Sequence, residues 1–171
     1  MTTHKRLSII LLGLIVFLSS CIQQPSFAYE TATFVRVVDG DTIVIARGRH
    51  HEYVRLIGID APESVHPDPS RNSEEGRLAA AFLRNLLKDT VVVYIVKDQS
   101  DTDQYGRLLR YVWLLKPNAK DETVMRKSML NAILLLQGYA VNVTIPPDVE
   151  YALKFVDYVR EAREKQAGLW R

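Results

Sequence analysis

Three carboxylates and two arginines stand where strand-forming runs give way to turns. Val38-Asp39-Gly40-Asp41-Thr42 offers Asp41. Val54-Arg55-Leu56-Ile57-Gly58-Ile59-Asp60-Ala61-Pro62-Glu63 offers Arg55, Asp60 and Glu63, and Asp103-Gln104-Tyr105-Gly106-Arg107 offers Arg107. Carboxylates gathered at one place repel each other unless a cation joins them, and a hard divalent ion suits oxygen ligands. Arginine forks opposite such a site grip phosphate oxygens and offset the charge that builds during phosphoryl transfer. A guanidinium pKa above about 12 makes arginine a poor proton donor, so its part is electrostatic.

Each residue alone has a plainer reading. Asp39-Gly40-Asp41 is a turn sequence, and Asp60 before Ala61-Pro62 could open a loop. Arg107 could be a solvated strand charge, but Arg55 interrupts an apolar strand where Val or Leu would pack. An EF-hand starting at Asp101 fails, because position twelve is Val112 where a glutamate is needed. His50, His51 and His66 fall in a turn and a polar loop and read as solvated side chains.

The elements that must hold these residues follow from periodicity. Residues 33–38, 42–46 and 53–59 are rich in strand formers and separated by turn sequences, predicting a three-stranded meander. Asn72 with Glu75 resembles a capping box opening a helix to Lys88, with Leu78, Phe82, Leu83, Leu86 and Leu87 on its apolar face. Residues 91–96 and 108–115 predict a hairpin. A second helix is expected over about 124–137, ended by Gly138. A third is expected over about 148–166, with Gly168 as its stop and Trp170 as an anchor. The order βββ-α-ββ-α-α is that of an α+β domain built on a five-stranded Greek-key barrel of the OB type with three α-helices.

The chain has 171 residues, 25% charged and 47% hydrophobic, with 8 Gly, 7 Pro and one Cys. That composition excludes disordered, collagen-like and disulfide-framework proteins, and a Cys-rich zinc site. Lys5 and Arg6 precede an apolar run over residues 7–18, too short to span a membrane and suited to a signal peptide over residues 1–20. Taking those two cations from the 22 Lys and Arg leaves 20, equal to the 20 Asp and Glu. A neutral mature chain cannot coat nucleic acid by charge alone, so an anionic substrate must be held by a few placed cations. Leu18-Ser19-Ser20-Cys21 matches a bacterial lipobox, making Cys21 the expected lipid-bearing first residue of a cell-envelope lipoprotein. Residues 21–30 then form a short tether, and residues 31–171 form the domain. Cleavage after Ala28, in Ser26-Phe27-Ala28, would instead release a secreted form. A monomer is expected.

In four ordered segments, Val38–Thr42, Val54–Glu63, Asp103–Arg107 and Leu136–Ala140, the chain resembles the thermonuclease family of staphylococcal nuclease-like domains. The resemblance runs from about residue 33 to 171. It implies an OB barrel with three helices and calcium-dependent hydrolysis of DNA and RNA to 3′-phosphorylated products. Asp41 and Asp60 match the calcium carboxylates and Ala61 the position giving a backbone carbonyl, while Asp39 would stand behind them or bind through water. Arg55 and Arg107 match the phosphate-gripping arginines, and Glu63 matches the general base or orienter of the attacking water. Tyr105 matches a tyrosine that touches a terminal phosphate. Three departures stand out. Ala61 replaces a threonine, the loop Ser64–Ser70 lacks lysines, and Thr144 stands near a second family tyrosine, with Tyr139 as a candidate substitute. The rival reading is an OB-fold nucleic-acid-binding lipoprotein without catalysis. Such a module could dispense with the carboxylates, yet this chain keeps Asp41, Asp60 and Glu63 together with both arginines.

Overall fold

The computed structural model describes residues 28–118 and 121–171. The leader over residues 1–20, Cys21, and Ser26-Phe27 of the alternative cleavage site lie outside the described residues. Among the described residues no helix is long and apolar enough to cross a membrane.

Strand-forming runs build β1 (Glu30–Asp39), β2 (Thr42–Arg47) and β3 (His50–Leu56), an antiparallel meander. Glu30 thus belongs to the first strand, and Tyr29 before it packs edge-on against Tyr94. β5 (Val92–Val96) and β6 (Leu108–Trp113) pair with each other. β6 also runs parallel to β3 and β5 closes on β1, giving a closed barrel in the order β1-β2-β3-β6-β5. Ile43, Ile45, Val54, Leu56, Ile95 and Trp113 fill it, each almost completely buried. This is the five-stranded OB-type α+β fold that the element order implies.

The third strand does not continue to residue 59. At Gly58 the backbone takes φ 78°, and a Cβ there would lie 2.7 Å from the Phe155 ring. A side chain would therefore meet both backbone strain and a packed aromatic. The chain turns out of the barrel, and β4 (Ile59–Asp60) pairs instead with β7 (Val141–Asn142). Asn131, wholly buried, holds this bend: its amide donates to Ile57 O (2.8 Å) and accepts from Val112 N (3.0 Å).

α1 (Glu74–Leu87) begins one residue later than a capping box at Asn72 requires. Ser73 is the cap, accepting from Gly76 N at 3.0 Å, while the Asn72 amide accepts from His66 N and donates to His66 O in the preceding loop. The face against the barrel is Gly76, Ala79, Ala80, Leu83 and Leu87, and Leu78 points outward at 47% exposure. Small residues bring the helix closer than the expected stripe of leucines and Phe82 suggests. A 3₁₀ turn at Pro69–Arg71, capped by Asp68, interrupts the expected loop.

Among the described residues four α-helices replace the expected three. The stretch read as one helix over 124–137 is divided into α2 (Glu122–Ser128) and α3 (Leu130–Leu136). Met129 between them has φ −80° and ψ 115°, an extended conformation that bridges to Trp113, while Leu114 N donates to Ser128 O at 2.7 Å. The end of β6 takes its backbone partner from the helical segment, and the helix breaks there. α4 (Ala152–Glu164) starts after the expected 148. Asp148 is buried and accepts from the backbone N–H of Gln99 and Ser100 (2.9 and 2.8 Å), tying the far loop to the barrel.

Candidate active site

Arg55 interrupts its apolar strand because side chains alternate across a strand. Its neighbours Val54 and Leu56 point into the barrel, and Arg55 points to the other face. The side chain is only 17% exposed, and the bend at Gly58 folds acceptors around it. One terminal nitrogen, Nη1, donates to the carbonyls of Leu56 (2.9 Å) and Ile59 (2.7 Å). The other, Nη2, lies 2.7 Å from Asp60 Oδ1 and 3.0 Å from Asp41 Oδ2. β3 and β4, joined by this turn, therefore bring Arg55 and Asp60 together, and the β1–β2 turn adds Asp41.

Asp41 ends the β1–β2 turn and is buried. Its Oδ1 accepts from the Thr42 hydroxyl (2.8 Å) and its Oδ2 from Ala61 N (3.0 Å). Burial raises its pKa, and this outweighs the lowering by the Arg55 charge and by both hydrogen bonds. Asp39 serves the neighbouring backbone: Oδ1 accepts from Gly40 N and the Ser64 hydroxyl (2.9 and 2.6 Å), and Oδ2 from Ser64 N (3.2 Å). It thus anchors the chain just after Glu63.

Glu63 is held by its backbone, and its carboxyl lies against that of Asp39. Ser73 N donates to its carbonyl at 2.9 Å. Burial, hydrogen bonding with Asp39 and the charges of Asp39 and Asp41 push the Glu63 carboxyl above the ordinary range. A carboxyl biased toward accepting a proton suits a general base.

Arg107 is braced by a residue that the motif contains but the sequence reading assigned no role. Asp103 Oδ1 accepts from the backbone N–H of Tyr105 (2.9 Å) and Arg107 (3.0 Å), and Oδ2 accepts from Arg107 Nε at 2.6 Å. Burial pushes the Asp103 carboxyl up, but the hydrogen bonds from Arg107 and Tyr105 outweigh it, and it stays ionised below the usual range. The signal lies in the motif itself: an aspartate two and four residues before N–H groups it can cap closes its own turn. The Arg107 guanidinium lies 5.4 Å from the Tyr105 ring centre, and that ring is 75% exposed.

Both arginines open on one cavity of about 380 Å³, which Tyr105, Leu109 and Ile145 also line. Tyr139 is not part of it. Its ring stacks on Phe82 with centres 4.3 Å apart, against α1. Of the residues singled out from sequence, the structure therefore joins Asp41, Asp60 and Arg55 directly, places Arg107 and Tyr105 across the same cavity, and sets Tyr139 elsewhere.

The charge balance bears on a cation. Asp41 and Asp60 share the guanidinium of Arg55, the acidic Glu63 and Asp39 stand beside Asp41, and Arg107 is paired through Nε with Asp103. Among the described residues no three His, Cys, Asp or Glu side chains converge as a metal cage. Two oxygen-bearing side chains with excess negative charge, one buried and incompletely compensated, nevertheless fit a hard divalent ion that takes its remaining ligands from backbone, water or substrate.

Residues 53–171 match the model of the family described as "Staphylococcal nuclease homologue". The chain belongs to this family. It is 36% identical over 141 residues to "Thermonuclease" of Staphylococcus intermedius, covering 82% of this chain and 76% of that one. It is 31% identical over 152 residues to "Micrococcal nuclease" of Shigella flexneri, covering 87% and 78%. "Protein ParB" of Escherichia coli is 30% identical over 158 residues, covering 87% and 77%. The family region contains the whole arginine-and-carboxylate cluster except Asp39 and Asp41, which lie just before it in the β1–β2 turn.

Proposed function

We propose that this chain is an exported, calcium-dependent nuclease that hydrolyses phosphodiester bonds of DNA and RNA to 3′-phosphorylated products. The observation that carries the reading is a single cavity reached by both Arg55 and Arg107, with Asp41 and Asp60 held against Arg55 at its edge. The names of the thermonuclease and micrococcal nuclease relatives support it.

Asp41 and Asp60, with the carbonyl of Ala61, are the residues that would hold calcium, with Asp39 behind them. When bound, calcium supplies a Lewis acid beside the phosphoryl oxygens. Glu63 takes a proton from the attacking water, whose oxygen forms the new bond to phosphorus. The bond from phosphorus to the 5′ oxygen breaks, and that oxygen leaves as a hydroxyl by taking a proton from solvent water. Arg55 and Arg107 hold the phosphate oxygens and stabilise the charge that grows there. Asp103 keeps Arg107 turned for this by occupying its Nε. Tyr105 stands at the open side, where it can touch a neighbouring phosphate.

The deciding assay incubates the purified mature protein with single-stranded DNA and with RNA, in calcium and in chelator, and identifies the product ends. Cleavage in calcium alone, with 3′-phosphate ends, is the expected result; binding without cleavage in either condition would make the chain a binding module. Export and lipid attachment at Cys21 are read from the mass of the mature N-terminus, where a start at Tyr29 would replace the lipoprotein with a secreted form.

A further inference from the structure

A second cavity, of about 280 Å³, lies beside the first with β4 between them: Ile59 lines one and its neighbour Asp60 the other. Its apolar wall includes Tyr139, Val141, Leu169 and Trp170, and its charged side chains are Asp60 and Glu75. We propose that this cavity is a nucleobase subsite, which takes the base on the opposite side of the scissile phosphate from the nucleoside in the first cavity. The inference rests on the nuclease reading above.

Position is the first argument. Asp60 accepts from Arg55 at 2.7 Å, and Arg55 lines the first cavity. A phosphate gripped at Arg55 therefore lies at the divide, and the two nucleosides that it joins must leave in different directions. Chemistry is the second argument. Both charged groups on the second cavity are acidic, so it repels a backbone phosphate. Its aromatic and aliphatic wall suits the neutral, flat face of a base, which stacks without regard to sequence.

The wall is also preformed. Tyr139 is fixed on Phe82 at 4.3 Å with ring planes 17° apart. Trp170 lies under the Arg163 guanidinium, 4.3 Å from its ring centre, and Leu169 N donates to Gly138 O at 3.0 Å. The C-terminal turn is thereby tied to the segment that carries Tyr139, and little ordering cost remains when a base enters. Tyr139 is then not a stand-in for the tyrosine absent at Thr144 but part of a separate subsite.

The test uses oligonucleotides with one cleavable linkage, carrying an abasic sugar on its 5′ side, on its 3′ side, or on neither. In the wild-type protein, removing either base should lower kcat/KM by about 5- to 150-fold, the range of one lost base stack. Tyr139→Leu keeps bulk against Phe82 and, like Trp170→Leu, should abolish the penalty on one side while leaving it on the other. Both variants keeping both penalties would overturn the proposal. A wild-type readout covers the case in which the variants melt early. Trp113 is wholly buried, so emission changes on adding a non-cleavable oligonucleotide report Trp170. Quenching that requires the base supports the subsite, and emission indifferent to the base overturns it. Wild-type protein that cuts none of the substrates defeats the nuclease reading itself. Wild-type protein that cuts them all, with a penalty on one side only, defeats this proposal alone.

Discussion

A Cβ placed on Gly76 would lie 2.1 Å from the carbonyl oxygen of Glu63. The first turn of α1 thus rests directly on the backbone of the proposed base, and Ser73 N donates to that same oxygen. No side chain fits between them, so the helix start and the site loop share one position.

Gly76→Ala should therefore act on both stability and rate. Either the loop or the helix must move, at a cost of about 1–3 kcal/mol by the usual scale of overpacking. The cleavage rate should fall further than the melting temperature accounts for. Arg77→Ala, on the exposed side of the same turn, should leave both nearly unchanged. Melts beside single-turnover cleavage for the two variants check this.

Arg107→Lys should keep the charge and lose the fork that Asp103 orients. A rate loss of about 10²–10³, typical of one lost electrostatic donor, is expected with a much smaller change in substrate binding. Arg55→Lys should cost at least as much, since Arg55 also secures the carbonyls of Leu56 and Ile59. Glu63→Gln should cut turnover without lowering the melt. Single-turnover rates at saturating calcium decide; normal melts with wild-type rates in all three variants would falsify the catalytic assignment.

Calcium binding without substrate should be weak. Two carboxylates and one carbonyl place it near the affinity of extracellular sites, with a dissociation constant of about 10⁻⁴–10⁻³ M. Asp41→Asn should weaken it further and remove calcium-dependent cleavage. Calorimetry on the substrate-free protein measures it, and nanomolar binding would point to ligands beyond these residues.

A pair outside the carboxylate cluster governs part of the acid stability. Arg110, almost fully buried, donates to Asp101 Oδ1 at 2.6 Å and to the Asp101 carbonyl at 2.9 Å. Hydrogen bonding and charge from Arg110 hold the Asp101 carboxyl below its ordinary value of 3.8. Because the folded form has the lower pKa, its contribution is complete above the unfolded value and is lost as pH falls through the folded one. Asp101→Asn should melt earlier than wild type at pH 7, and the difference should shrink below about pH 4. Melts across that range test the sign.

Strand-forming runs, turn residues and placed charges were enough to read the five barrel strands and the first helix, and to single out Asp41, Asp60, Glu63, Arg55 and Arg107 as candidates. Those features are written within a few residues of one another, where backbone preference and burial agree. Choices between distant partners are not written that way. Met129 lies in a helical run and is extended because the end of β6 needs a backbone partner. Asn72 matches a cap, but Ser73 takes that role because the Asn72 amide is engaged by His66. Residues 57–59 read as a continuation of the third strand, but packing of Gly58 against Phe155 sends β4 to β7 and folds Arg55 onto both aspartates. Tyr139 sits in a site motif by sequence and in a separate cavity in space. The sequence by itself determined which residues could do chemistry. Tertiary structure decided which of them meet, because the competition for buried backbone and side-chain partners is settled only when the whole chain is packed.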